Sequence, residues 1–524
     1  MSRARDLADK SLYKITPSTD GNVLTSDGNN WISETPVSAP TGLTADFVAQ
    51  GTIGANVSVG LRSDGKVEVI TGVPVSKVGP VVFDSNGAQG SANAAYYDPD
   101  QDKIVVIYRD AGNSNYPTVI VGSLSSTTIT FPSSGVVMGS YDAHYHEALY
   151  DPDTNMGVVV YQRGDAPANY ALYSHQVSVS GNTPTVHPYV LVNGTGSTYH
   201  HNYIALSYNT SADKVLITYM DYDRSNSYMA KVGTVDASSP YQITWASEVE
   251  VTNENALHNG YNAYNAAANA HLITYSQNNG KMSYRVGTIS GTTLTLGSQV
   301  LDSTFTNQQK VQIREIPSTS NFLHTWSDSD DSNKLKARVV SVSGTTPTGH
   351  TAAVSVSTSG VKMSMIIDPD QNQAIVVYDN NSSGLAEFRG IQINGTTVTI
   401  DAGFTAIDTT TAFANSYLCY DTTNDKIRAV GRTSQSPKQG VAFTIKLAQT
   451  NITSFIGFSN ASATNGNTLN VTVKGGVASG LSGLTVLSDY YVQSDGSVTT
   501  TSTAPAIKIG TALSASKIGM IGFS

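Results

Sequence analysis

Histidines gather at three places in this chain: "DAHYHEALY" with His144 and His146, "TYHHNYIAL" with His200 and His201, and "ENALHNGYNAY" with His258. Imidazoles at such density can ligate a transition metal, carry a proton or hydrogen-bond a ligand. Two polar loops form a second group. "YMDYDRSNSY" holds Asp221, Asp223 and Asn226, and "WSDSDDSNKL" holds Asp328, Asp330, Asp331 and Asn333. Carboxylates and amides so placed can hold a cation or bind sugar hydroxyls; a solvated loop has the same composition. A third stretch, "YYDPDQDKIVVIYRD", sets Asp98, Asp100 and Asp102 at alternate positions, like the start of a calcium loop. A calcium loop of the EF-hand kind needs Gly at its sixth position and Glu at its twelfth. Counted from Asp98 these are Lys103 and Arg109, so the pattern fails. Asp-Pro reads instead as a turn, through proline's fixed φ and the Asx hydrogen bond.

Motifs for catalysis are missing. The chain shows no nucleophile elbow, zinc-hydrolase helix motif, phosphate loop or sialidase-type Asp box. Paired carboxylates for glycoside hydrolysis stay open, because their pairing is spatial. Cys419, the single cysteine, falls in an apolar strand and reads as core. The expectation is a protein that is not an enzyme and needs no metal or cofactor.

The elements that would position these residues repeat. "YYDPDQDKIVVIYRD" is followed by "LYDPDTNMGVVVYQRGD", "SYNTSADKVLITYMD", "AYNAAANAHLITYS", "EIPSTSNFLHTWSD", "IDPDQNQAIVVYDN" and "YDTTNDKIRAVGRT". An Asp- or Asn-like residue (98, 151, 209, 265, 316, 368, 421) precedes an aromatic-like one (108, 161, 219, 275, 326, 378, 431) by 10 residues in every copy. Copies lie 53, 58, 56, 51, 52 and 53 residues apart. A constant inner spacing with a drifting outer one is what variable surface loops between invariant strands produce. Each copy reads as four strands: one ending at the turn, an apolar run buried on both faces, a third before a hairpin such as "TISGTTLTL", and a short fourth such as "PYVLVN". Seven such units predict an all-β fold, a seven-bladed β-propeller flanked by small N- and C-terminal β-modules. A linear array of β-sandwich modules is the rival. "GPVVFDSN" at 79–86 reads as a fourth strand for the last blade, which would close the ring and remove an open edge.

Aligned by the repeat, His144, Asn202, His258 and Gln309 share one register, seven residues before the Asp-like position. First strands line a propeller's channel, so these residues would form a polar arc. Equivalent positions on successive blades spread too far for the bonds of about 2 Å that a metal requires. Channel lining or a ligand contact is the expectation there, with no metal centre.

Composition narrows the partners. The formal net charge is −10 and only 13% of residues are charged, without a basic stripe, which excludes ordinary nucleic-acid binding. No stretch reaches the ~18 apolar residues of a membrane helix, and no secretory signal is read, so a cytoplasmic site of synthesis is expected.

The expected domains are 1–40 as an attachment segment, 41–78 as a small β-module with linker, 79–457 as the propeller and 458–524 as a C-terminal β-module. Both flanks carry Ser-Asp-Gly turns: Ser26-Asp27-Gly28, Ser63-Asp64-Gly65 and Ser494-Asp495-Gly496. "DGNVLTSDGNNWISETP" and "FVAQGTIGANVSVGLRSDGKVEVITG" resemble segments of phage tail fibres and other phage virion proteins. "LSGLTVLSDYYVQSDGSVTT" with "IKIGTALSASKIGMIG" resembles the C-terminal β-module of phage fibres. The resemblance implies a virion structural protein, a tail fibre or other host-contacting appendage, assembled in the host cytoplasm. It implies docking onto other virion proteins through the N-terminal segment, contact with a host-surface glycan, and a homo-oligomer, with a trimer as first expectation. Capsid decoration, a tail connector and a phage-borne polysaccharide depolymerase are the alternatives.

Overall fold

A computed structural model describes residues 23–26, 31–34 and 43–521, except for 74–75, 86–87, 165–169, 195–200, 254–257, 278–279, 303–307, 370–372, 381–382, 384, 401–404, 407–412, 434–437, 447–448 and 503–505. Among the described residues there are β-strands and single 3₁₀ turns but no α-helix.

The chain divides into two compact units, 76–447 and 1–75 with 448–524. The first is the propeller. Its described residues make seven antiparallel sheets, one per sequence repeat. In blade one, Ala88–Asp98 pairs with Lys103–Asp110, which pairs with Tyr116–Ser125. The first strands of the seven sheets neighbour one another in order, and the seventh, Phe413–Asp421, lies against the first.

The apolar second strands explain the packing. Ile104, Val106 and Tyr108 face a core shared with Phe83, Cys419, Val430 and Ala442 of the last blade. Their neighbours Val105 and Ile107 face the opposite way, into a core with Ala148, Val159 and Tyr161 of blade two. Successive side chains of a strand point to opposite faces, so only an unbroken apolar run can serve two seams at once.

Closure follows the sequence expectation. Ser76–Asp84 pairs with Gly440–Lys446, placing the N-terminal strand as the fourth of the last sheet. The outer edges of the other blades differ from it. Two short strands stand where a single fourth strand was expected, such as Thr183–Val186 and Val190–Asn193 in blade two. Pro188 lies between that pair, and proline donates no hydrogen bond to a ladder.

The first turns are built as the Asx reading requires. Asp98 Oδ1 accepts from the backbone N–H groups of Asp100 and Gln101, each at 3.1 Å. Asp151, Asn209, Asn265 and Asp421 accept in the same way. The preceding tyrosine adds a link between blades. Tyr264 Oη donates within its own turn to Asn269 (3.0 Å) and reaches Ser211 of the previous blade (2.7 Å). Tyr150 reaches Asp100, and Tyr97 reaches Thr423 across the closing seam.

The second unit corrects the expected domain boundaries. The segments at 41–78 and 458–524 do not fold as separate modules. Thr44–Val48 pairs with Thr468–Val473, and Ser58–Leu61 with Phe455–Ser459, in one five-stranded sheet. Val59 and Val67 share a core with Ile456, Leu469 and Val471, an apolar set that neither segment supplies alone. A second sheet holds Asp489–Gln493, Ala506–Ser514 and Lys517–Met520. The two Ser-Asp-Gly turns at 63–65 and 494–496 form as expected: Gly65 and Gly496 take φ of 82° and 83°, where a side chain would be strained; that of 26–28 lies outside the described residues apart from Ser26. The attachment segment 1–40 lies outside the described residues except for the hairpin of Val23–Ser26 and Trp31–Glu34.

Candidate functional site

The four residues expected to form a polar arc occupy equivalent backbone positions in their blades. His144, Asn202, His258 and Gln309 pair with Gln162, Met220, Ser276 and Ser327, each the residue after the repeat's aromatic. The side chains of Asn202, His258 and Gln309 lie outside the described residues. His144 Nε2 stands 3.4 Å from Asp142 Oδ2, and Arg109 grips that same carboxylate through two bonds of 2.7 Å. His146 is buried, its ring 5.7 Å from that of Tyr161. The two histidines of "DAHYHEALY" therefore sit in different surroundings. Among the described residues no three His, Cys, Asp or Glu side chains converge as metal ligands.

Asp328 and Asp221 are committed to structure. Asp328 Oδ1 caps a 3₁₀ turn by accepting from the backbone N–H of Asp330, while Oδ2 pairs with Lys336 at 2.8 Å. Asp221 is buried, accepts from Asn193 at 3.4 Å and faces Arg224 at 3.8 Å. Asp223's side chain lies outside the described residues. A pattern missed in the sequence accounts for these loops. Blades one, three and five share D-x-x-x-S-N: Asp110 to Asn115, Asp221 to Asn226, and Asp328 to Asn333. In all three the Ser and Asn have φ between 55° and 63°, a left-handed pair after one 3₁₀ turn. Of the four aspartates singled out as candidate ligands, Asp221 and Asp328 precede this turn, and Asp223 and Asp330 lie within it.

A different column of the repeat carries the chemistry. The residue four before each turn anchor pairs with the residue preceding the repeat's aromatic. This ring reads Ala94, Glu147, Ala205, Tyr261, Gln312, Ser364 and Tyr417. Tyr417 Oη lies 3.0 Å from Glu147 Oε2 and 3.2 Å from the Ala148 carbonyl. Arg314, two residues beyond Gln312, stacks its guanidinium 4.9 Å from the centroid of the Tyr261 ring and donates to the Ile313 carbonyl at 2.9 Å. Four blades thus bring an acid, a base and two phenols together.

Their ionisation is shifted by the enclosure. Burial pushes the Glu147 carboxyl up to about 7, against the Tyr417 hydrogen bond and the charge of Arg314, which both lower it. Burial opposes the charge on Arg314, but Tyr261, Tyr417 and Glu147 outweigh it and hold the guanidinium above its ordinary value. The Tyr417 phenol is raised well above its ordinary value, by burial first and by Glu147 second.

A cavity of about 330 Å³ opens beside this cluster. Tyr96, Tyr97, Tyr150, Tyr417 and Tyr420 line it, with Arg314, Pro99, Thr422 and several small apolar residues. The Tyr96 and Tyr150 rings stack at 6.3 Å. The volume falls at the low end of small-ligand sites, roughly 300–1,000 Å³.

Comparison with protein-family models and with curated proteins finds no match. Among solved structures, the chain is similar to an unknown-function protein from Dyadobacter fermentans DSM 18053, with 12% identity, TM-score 0.42, and 71% of this chain and 98% of that one covered. It is similar to AofleA from Arthrobotrys oligospora, with 11% identity, TM-score 0.39 and coverage of 68% and 94%. It is also similar to the NanB sialidase from Streptococcus pneumoniae, with 12% identity, TM-score 0.40 and coverage of 70% of each chain. At such values the likeness says nothing of ligand or chemistry. What the site can do rests on its own residues: aromatic faces for stacking, phenols for hydrogen bonding and one guanidinium for charge.

Glu147, Tyr261, Arg314 and Tyr417 escaped the sequence reading, which stopped at the column seven before the anchor. The signal was three columns further on, where Glu, Tyr and Tyr interrupt a ring otherwise filled by Ala, Ser and Gln.

Proposed function

We propose that this chain is a binding protein of a phage particle, a tail fibre or other host-contacting appendage, whose propeller takes a host-surface saccharide in the tyrosine-walled cavity. The observation that carries the binding reading is the gathering of five tyrosines and one arginine around a single cavity of about 330 Å³. Tyrosine offers a flat apolar face to a sugar ring and a hydroxyl to its oxygens, at little conformational cost. The virion reading is supported by the flanking segments that resemble phage fibre modules. A cavity this small holds one or two rings weakly, so several copies acting together would supply the avidity; a homo-oligomer, a trimer first, suits that arithmetic. The N-terminal segment would dock the chain onto other virion proteins.

The test is a glycan array of bacterial surface oligosaccharides, probed with the full chain and with a Tyr150→Ala, Tyr420→Ala double variant. Binding by the unmodified chain that the double variant loses supports the reading. Binding that the double variant retains in full contradicts it. Immunogold labelling of particles addresses location: label confined to the capsid or the tail tube favours decoration or a connector.

One observation favours a second reading, a polysaccharide depolymerase. A carboxyl held at about 7 can exchange its proton at neutral pH, as a general acid must. Glycoside hydrolysis ordinarily needs two carboxyl groups flanking the bond; the described residues lining the cavity contain none, and Glu147 stands next to the lining residue Tyr417. Release of reducing ends from host polysaccharide, abolished by Glu147→Gln, would establish the enzymatic reading over the binding one.

A further inference from the structure

We propose that the cavity's saccharide is anionic, bearing a carboxylate of the uronic-acid kind, and that Arg314 is the residue that recognises its charge. This rests on the saccharide reading above and specifies its ligand class.

Arg314 is the one cation among the described residues lining the cavity, and that lining contains no carboxylate. Its guanidinium carries five N–H donors in a planar fork. Two contacts fix its position. Nη1 donates to the carbonyl of Ile313 at 2.9 Å, and the Tyr261 ring lies beneath it at 4.9 Å. This leaves a rigid, oriented fork at the wall, with more donors than the contacts that hold it. A planar fork matches a carboxylate through two parallel bonds, and such pairs are roughly twice as strong as neutral ones.

The carboxylates around the cavity are engaged elsewhere: Asp100, Asp102 and Asp425 accept from the hydroxyls of Tyr150, Tyr97 and Tyr420 at 2.9, 3.0 and 2.7 Å. Glu147 accepts from the Tyr417 hydroxyl at 3.0 Å, and its interaction with Arg314 is one of charge without a hydrogen bond. The groups facing Glu147 are Arg314, Tyr417, Tyr261 and Tyr228, from blades five, seven, four and three. No second carboxylate stands among them. When Glu147 is neutral, the enclosed cluster therefore carries one uncompensated positive charge. Once it ionises, it competes with an incoming carboxylate for the same guanidinium. Its carboxyl is held near 7, so the exchange falls near neutral pH. The chain's net charge of −10 opposes long-range attraction of an acidic glycan, so preference must come from this local contact.

The experiment is calorimetric titration of the full chain with an oligouronate and with the same oligosaccharide after carboxyl reduction. The oligouronate is expected to bind about tenfold tighter near pH 5.5, as one good charge-assisted pair implies. By about pH 8 that advantage should shrink severalfold in the unmodified chain, while Glu147→Gln retains it. Arg314→Gln should bind both oligosaccharides with equal, weaker affinity. Equal affinity of the two in the unmodified chain overturns the proposal and leaves the saccharide reading standing. An advantage that survives Arg314→Gln also overturns it. If Arg314→Gln fails to fold, the unmodified chain and Glu147→Gln decide: an acid preference with the same pH dependence in both removes Glu147 as the competitor and overturns the assignment. Binding of neither oligosaccharide overturns the saccharide reading itself.

Discussion

Glu147 couples the channel to pH. Its carboxyl moves from an ordinary 4.5 to about 7 on folding, chiefly through burial. Between those values the folded protein keeps a proton that the unfolded chain has released. Its contribution to stability therefore falls as pH rises from 4.5 to 7, then levels off. The shift corresponds to about 3 kcal/mol at most. Asp98, Asp110 and Glu315 are shifted in the same direction, so total stability alone does not isolate Glu147. The difference between the unmodified chain and Glu147→Gln does. Urea midpoints measured across this range should show the variant gaining relative stability as pH rises, and a constant offset would count against the enclosure. Tyr264 offers a contrast away from the cavity. Tyr264→Phe removes the hydroxyl that joins Asn269 to Ser211 of the preceding blade and should cost about 1 kcal/mol by urea denaturation, with ligand binding unchanged.

At the scale of elements, the D-x-x-x-S-N turn is the instructive case. Asn333 sits at φ 58° after Ser332 at 57°. Left-handed backbone costs most L-residues roughly 1–2 kcal/mol, less for Asn and nothing for Gly. Asn333→Ala should cost about 1 kcal/mol by urea denaturation, and Asn333→Gly should be close to neutral. An equal loss in both would mean that the side chain, not the backbone, matters there. The aspartates of these loops were legible in the sequence, but their role was not. Asp221 and Asp328 looked like ligands because composition cannot distinguish a carboxylate facing solvent from one paired with Asn193 and Arg224 or one capping a 3₁₀ turn. The inner two strands of each blade were legible for a physical reason. The ten-residue interval from anchor to aromatic spans one tight hairpin, which tolerates no insertion. The outer edges drifted because two short strands separated by a turn can vary in length without disturbing a seam.

The whole molecule turns on the ring being closed. Phe83, in the closing strand, packs against Tyr108 at 5.3 Å and Phe131 at 5.6 Å, inside the core that joins the last blade to the first. Phe83→Ala should cost about 3–4 kcal/mol through the cavity it leaves. It should also speed amide exchange in Gly440–Lys446, whose ladder partner it loosens. Unchanged exchange there would argue that closure does not depend on this strand. Closure also explains why the candidate site was illegible. Tyr417 and Glu147 stand 3.0 Å apart but 270 residues apart in the chain, and only the complete ring brings them together. In the other unit the same limit applied to Thr44–Val48 and Thr468–Val473, which pair across the length of the propeller's sequence.

We propose the tyrosine-walled cavity as the place where this chain meets its ligand. A crystal of the full chain soaked with the tightest oligosaccharide from the array tests it most directly. The account predicts sugar density against Tyr96, Tyr150, Tyr417 and Tyr420, within reach of Arg314. Density on the outer turns of blades one, three and five, with the cavity left empty, would contradict it.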